Sequence, residues 1–122
     1  HRLNELPPAR VEELWHEFVK AMTAAEEIFG EYAFRKRERT GGTRRLPINK
    51  ALFEAISVNL AATPDDQIAR LKRRRDKVER EFISLMSDVD FQSAISQGTG
   101  DLAKVRLRFT AIRDMFEKVV DT

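Results

Sequence analysis

No cysteine occurs in these 122 residues. That absence removes a disulfide framework, a thiolate nucleophile and any cysteine-based zinc site, and makes a reducing, cytoplasmic setting the expectation. Histidine is nearly as scarce, with only two. Ser57, Ser84, Ser87, Ser93 and Ser96 therefore have no base at a position from which it could activate them. No apolar run approaches the ~20 residues that span a bilayer, and no signal peptide is visible, so no membrane partner is expected. The glycine pieces Gly41-Gly42 and Gly98-Thr99-Gly100 are too short for a phosphate-cradling Walker loop and lack its Gly-Lys-Ser/Thr ending. These absences predict a non-catalytic chain with no cofactor.

What is present is a foldable, highly charged composition, 42% hydrophobic and 34% charged. A chain of this length hides about two thirds of its unfolded surface, enough for one core. Residues 1–122 are read as a single helical domain and, since the chain begins at His1 rather than Met, as the C-terminal fragment of a longer protein. The net charge of +2 conceals strong segregation. Residues 1–34 hold three basic and seven acidic side chains, residues 35–80 fourteen and six, and residues 81–122 five and seven. The middle third is the electrostatic feature.

The apolar periodicity predicts an all-α fold: a compact bundle of four main helices plus one short helix, with a long basic loop after the first. Val11, Leu14, Trp15, Phe18, Met22, Ala25 and Phe29 recur at three- and four-residue steps and predict a first helix whose inner face they form. Glu12 and Glu13 are placed in its first turn, and Gly30 stops it. Residues 35–46 have no such period. Asn49 is expected to cap a second helix with Leu52, Phe53, Ile56 and Leu60 inside. Thr63 and Pro64 are expected to open a third that runs to about Ser87, with Ile68, Leu71, Val78, Phe82, Leu85 and Met86 inside. Arg75 with Glu79, Asp76 with Arg80 and Lys77 with Glu81 are spaced to pair along it. Val89–Ser96 is the short helix. Thr99 is expected to cap the last, whose seam is Leu102, Val105, Phe109, Ile112, Phe116 and Val119.

Two patterns carry possible chemistry. Glu13-x-x-His16 has the spacing of one arm of a bundle di-iron site, but such a site needs a second Glu/His arm, and the other histidine is His1. Asp88 and Asp90 could bind a cation but read more simply as helix caps. The basic residues are the stronger signal. Arg35, Lys36, Arg37, Arg39, Arg44 and Arg45 face a single Glu38 in the loop, and guanidinium forks suit phosphate. Arg73 and Arg74 lie on a basic helix face that extends this patch if the fold brings the two together. Phe34 is the only aromatic interleaved with them, so base stacking is not indicated.

Several short patterns, in order, add a family likeness. They are Phe18 to Met22, Phe29-Gly30, Ala33-Phe34-Arg35-Lys36, Ile48-Asn49-Lys50-Ala51-Leu52-Phe53-Glu54, Phe91 with Ala94-Ile95, Thr99, and Arg108-Phe109. Together they resemble the C-terminal helical region of GmrSD-like proteins, bacterial restriction and phage-defence proteins with an N-terminal ParB-like nuclease and NTPase domain. The family's Asp-Gly-Gln-Gln-Arg hallmark belongs to that N-terminal domain and does not occur here. The resemblance implies a non-catalytic accessory region whose partners are the parent's nuclease domain and DNA or RNA. Arg35, Lys36, Asn49 and Lys50 match the family-like motif, and Lys50 joins the candidate contact set on that ground. The alternative expectation is a protein-interaction or self-association module with no nucleic-acid contact.

Overall fold

The computed structural model describes residues 7–122. Its order is α1 (Pro8–Phe29), a 3-10 turn (Gly30–Tyr32), α2 (Lys50–Ala62), α3 (Asp65–Arg73), α4 (Arg75–Leu85), α5 (Val89–Ser96) and α6 (Leu102–Asp121). The fold is all-α. Among the described residues the only β pairing is an isolated antiparallel bridge between Arg35 and Ile48.

Several helix ends follow the local chemistry foreseen in the sequence. Gly30 ends α1 with φ +61, and its N–H reaches back to the Glu26 carbonyl. The Oδ1 of Asn49 accepts from the Leu52 amide at 2.9 Å, and that of Asp88 from the Phe91 amide at 3.0 Å. Both are side-chain caps that satisfy an orphan first-turn donor.

Other ends differ. Thr63 does not open α3; it closes α2, its hydroxyl donating to the Asn59 carbonyl at 2.7 Å. Asp101, not Thr99, caps α6, accepting from the amides of Ala103 and Lys104. Glu12 and Glu13 lie beyond the first turn of α1, because that helix already begins at Pro8.

The helix expected to run from Thr63 to Ser87 is two. Arg74 leaves helical geometry at φ −108, ψ 27, and its guanidinium crosses to the Val119 and Val120 carbonyls at 2.9 and 2.7 Å. Those are orphan carbonyls of the last turn of α6, where a cation also opposes the helix dipole. Two of the three expected pairs along this segment are replaced by tertiary contacts, and Asp76 with Arg80 does not form among the described residues. Glu79 meets Arg37, Glu81 meets Lys118, and Lys77 donates to the Thr122 hydroxyl. An exposed i,i+4 pair contributes only about 0.3–0.5 kcal/mol, so a better-placed partner readily displaces it.

The core gathers Ala21, Ala24, Ala25 and Ile28 of α1 against Leu52, Ile56 and Leu60 of α2, Leu71, Val78 and Phe82 of α3 and α4, and Ile112, Phe116 and Val119 of α6. The expected inner face of α1 is only half right. Val11, Trp15 and Phe18 are exposed, because they lie about 100° round the helix from Ala21, Ala24, Ala25 and Ile28, the residues that meet the core. In α6, Leu102 is likewise exposed, and burial begins at Arg108.

Candidate nucleic-acid interface

Residues 33–49 form an ordered loop whose base is a small core of its own. Phe34 is buried at φ +62, a left-handed conformation unusual for a bulky residue, and its ring meets Phe53 edge-on at 4.9 Å. The Asn49 amide donates to the Phe34 carbonyl at 2.8 Å, which brings the two ends of the loop together. Asn49 serves twice, since its Nδ2 also donates to the Ile95 carbonyl on α5 at 2.9 Å.

Four of the nine candidate contact residues are committed to this architecture. Arg35 donates to the Leu46 carbonyl at 2.7 Å, and Lys36 to the Ser96 hydroxyl at 2.7 Å. Arg37 is buried, stacked over the Tyr32 ring at 3.8 Å, paired with Glu79 at 2.9 Å and bonded to the Gly42 carbonyl at 3.3 Å. Arg74 holds the end of α6, as above. A guanidinium used this way is a brace: its terminal nitrogens are spent on carbonyls and, for Arg37, a carboxylate, although the buried Nε of Arg37 has no partner among the described residues.

The remaining five are exposed: Arg39, Arg44, Arg45, Lys50 and Arg73. Arg39, Arg44 and Arg45 flank the Glu38–Gly41 turn of the loop, and their side chains make no hydrogen bond or ion pair among the described residues. The lone acid there, Glu38, turns inward. It accepts the Arg44 amide at 3.3 Å while its own carbonyl accepts the Gly41 amide at 2.9 Å, closing a tight turn. Gly41 takes φ +77 in that turn, a region glycine enters without steric cost.

The loop and the 70–80 segment meet, but through Arg37 and Glu79 rather than through Arg73 and Arg74. A cleft of about 340 Å³ lies at that junction, lined by Phe29, Tyr32, Arg37, Arg75, Asp76 and Glu79. It carries both signs of charge, and its carboxylate Glu79 is already neutralised by Arg37. Among the described residues no three His, Cys, Asp or Glu side chains gather as a metal site. His16 and Glu13 are both exposed, with Glu13 held by Arg10 at 3.0 Å, while His1 lies outside the described residues. No described helix is long and apolar enough to cross a membrane.

Two polar residues outside the candidate contact set, Arg108 (named above only within a family-like pattern) and Asn59, are structural. Arg108 is 3% exposed and donates to the Ala94 and Thr99 carbonyls at 3.1 and 2.7 Å, with Glu54 at 3.6 Å. Asn59 is buried and donates to the Ala55 and Phe109 carbonyls. The signal for Arg108 was present, because it precedes Ile112 by four residues and so shares the inner face. Set beside known families, curated proteins and solved structures, the chain matches none.

Proposed function

We propose that this chain is a non-catalytic helical accessory module that contacts nucleic-acid phosphate through the arginines flanking the Glu38–Gly41 turn of its 33–49 loop. It would act beside the nuclease domain of a GmrSD-like cytoplasmic defence protein. The observation that carries the reading is the cluster Arg39, Arg44 and Arg45. Three exposed guanidinium groups without a described acidic partner stand on a loop whose base is fixed by Phe34, Arg35, Arg37 and Asn49. A prearranged anion surface loses less conformational entropy on binding than a floppy one. The ordered short patterns support the family part of the reading, and nothing else does.

Binding of labelled duplex DNA, single-stranded DNA and RNA, followed by anisotropy against salt, tests the contact. Neutralising three phosphates gives a slope near −2.7 in log K against log salt, or about a 40-fold loss between 50 and 200 mM. Replacing Arg39, Arg44 and Arg45 together with Gln abolishes binding and leaves the fold intact. Replacing Arg35 or Arg37 would confuse the two effects, since both hold the loop. No binding to any of the three at low salt sinks the proposal.

A further inference from the structure

The first half of α1 is the largest apolar feature that the core does not absorb. Val11, Trp15, Phe18 and Val19 are 38, 62, 47 and 41% exposed, and Val58 of α2 beside them is 53% exposed. Trp15 and Phe18 stack at 5.8 Å. Leu14, Phe18 and Ala21 of α1 border a shallow groove with Val58 and Ala61 of α2, so helix and groove form one continuous surface. With aromatic side chains of roughly 150–250 Å², the open parts of Trp15 and Phe18 leave about 200 Å² bare, and the three valines bring the patch to about 400 Å². That is the size of the largest apolar patch on a typical monomer, and such patches are often functional.

The spacing of the stripe indicates its occupant. Val11, Trp15, Phe18 and the partly buried Met22, where the stripe runs into the core, follow one another at steps of four, three and four, the same sequence of steps read from either end. An antiparallel copy about a two-fold axis between Trp15 and Phe18 therefore sets each Trp15 against Phe18 of the other copy, and each Val11 against Met22. Polar residues rim it rather than interrupt it. Glu13, His16 and Lys20 fall on the opposite side of the helix, where Arg10 holds Glu13 and Asp65 holds Lys20. Glu12 borders the stripe on one side, and Glu17, drawn to Arg10 at 3.7 Å, borders the groove with Ser57 on the other.

The area fits as well. Two such patches remove about 800 Å² of apolar surface, against roughly 900 Å² in a standard-size interface of about 1,600 Å². A central tryptophan is also the residue type that most often dominates such contacts. We infer that this face is an isologous dimer interface, formed by α1 packing antiparallel on α1 of a second copy, and independent of the basic loop.

Sedimentation equilibrium tests it directly, with the mass expected to rise from one chain to two as concentration increases. Trp15 is the only tryptophan, so its emission should shift to shorter wavelength over the same range. Trp15→Glu and Phe18→Glu should each keep the wild-type helical signal and stay single at every concentration. Because the chain has no cysteine, register is read by oxidation. A mixture of Val11→Cys and Met22→Cys chains should cross-link, whereas Val11→Cys alone should not, its two copies lying about 16 Å apart. A wild-type chain that remains single at about 1 mM overturns the interface. So does growth beyond two chains, and self-linking of Val11→Cys overturns the antiparallel register.

Discussion

Arg37 and Glu79 stand 42 residues apart in sequence and 2.9 Å apart in space, and this one contact fastens the basic loop to α4. The pair is asymmetric. The Arg37 side chain is 6% exposed and the Glu79 side chain 50%, so the arginine depends on the carboxylate far more than the reverse. Tyr32 beneath the guanidinium and the Gly42 carbonyl beside it complete the enclosure.

Removing Glu79 therefore strands a desolvated cation. Glu79→Gln is expected to lower stability by about 1–3 kcal/mol, below the full cost of breaking a wholly buried pair because Glu79 is half open. Urea unfolding followed by circular dichroism measures it, and a change under about 0.3 kcal/mol would show that solvent already serves Arg37.

Arg108 makes a harder demand. Arg108→Met is expected to cost about 2–4 kcal/mol, since the Ala94 and Thr99 carbonyls both lose their donor. Arg108→Lys should recover less than half of that loss, because an ammonium lacks the planar fork that reaches two carbonyls and Glu54 together. Thermal melts of both variants decide the matter; full rescue by lysine would reduce Arg108 to a point charge.

Asn49 allows its two bonds to be separated. Asn49→Asp keeps the acceptor for the Leu52 amide but loses the donor to Ile95, whereas Asn49→Ala loses both. The alanine variant is expected to be about 2 kcal/mol less stable and the aspartate variant about half as affected. Equal losses in chemical denaturation would mean that the tie to α5 contributes nothing.

Arg74 is expected to act locally. Arg74→Ala should speed hydrogen exchange in the last turns of α6, near Val119 and Val120, more than in α2 or α5. Exchange mass spectrometry resolves the segments, and uniform acceleration across the chain would point to a global effect.

How much of this was legible depended on the range of the interaction involved. The Asn49 cap and the Leu52, Ile56 and Leu60 face were readable because a cap and a helical period act within four residues. Thr63 and Thr99 misled for a related reason. A threonine beside a Pro or Gly looks like a cap from either side, and which helix it serves depends on where the neighbouring helix ends. The candidate loop was found by its charge, but its division into braces and open residues was invisible. Arg37 and Arg39 look alike in sequence, and only the position of Glu79 across the fold makes one buried and leaves the other exposed.

The sequence by itself determined the all-α class, most helix locations and the concentration of positive charge in residues 35–80, since periodicity, capping and composition are local properties. Tertiary structure alone decided that α3 and α4 part at Arg74, that Arg37 turns inward, and that Arg35 and Lys36 are tied to Leu46 and Ser96. It also decided that α1 buries its Ala21, Ala24, Ala25 and Ile28 face and leaves the Val11, Trp15 and Phe18 stripe open. These outcomes depend on helix lengths and on partners tens of residues away. A side chain is buried or exposed according to what lies opposite it, and that is a property of the assembled chain.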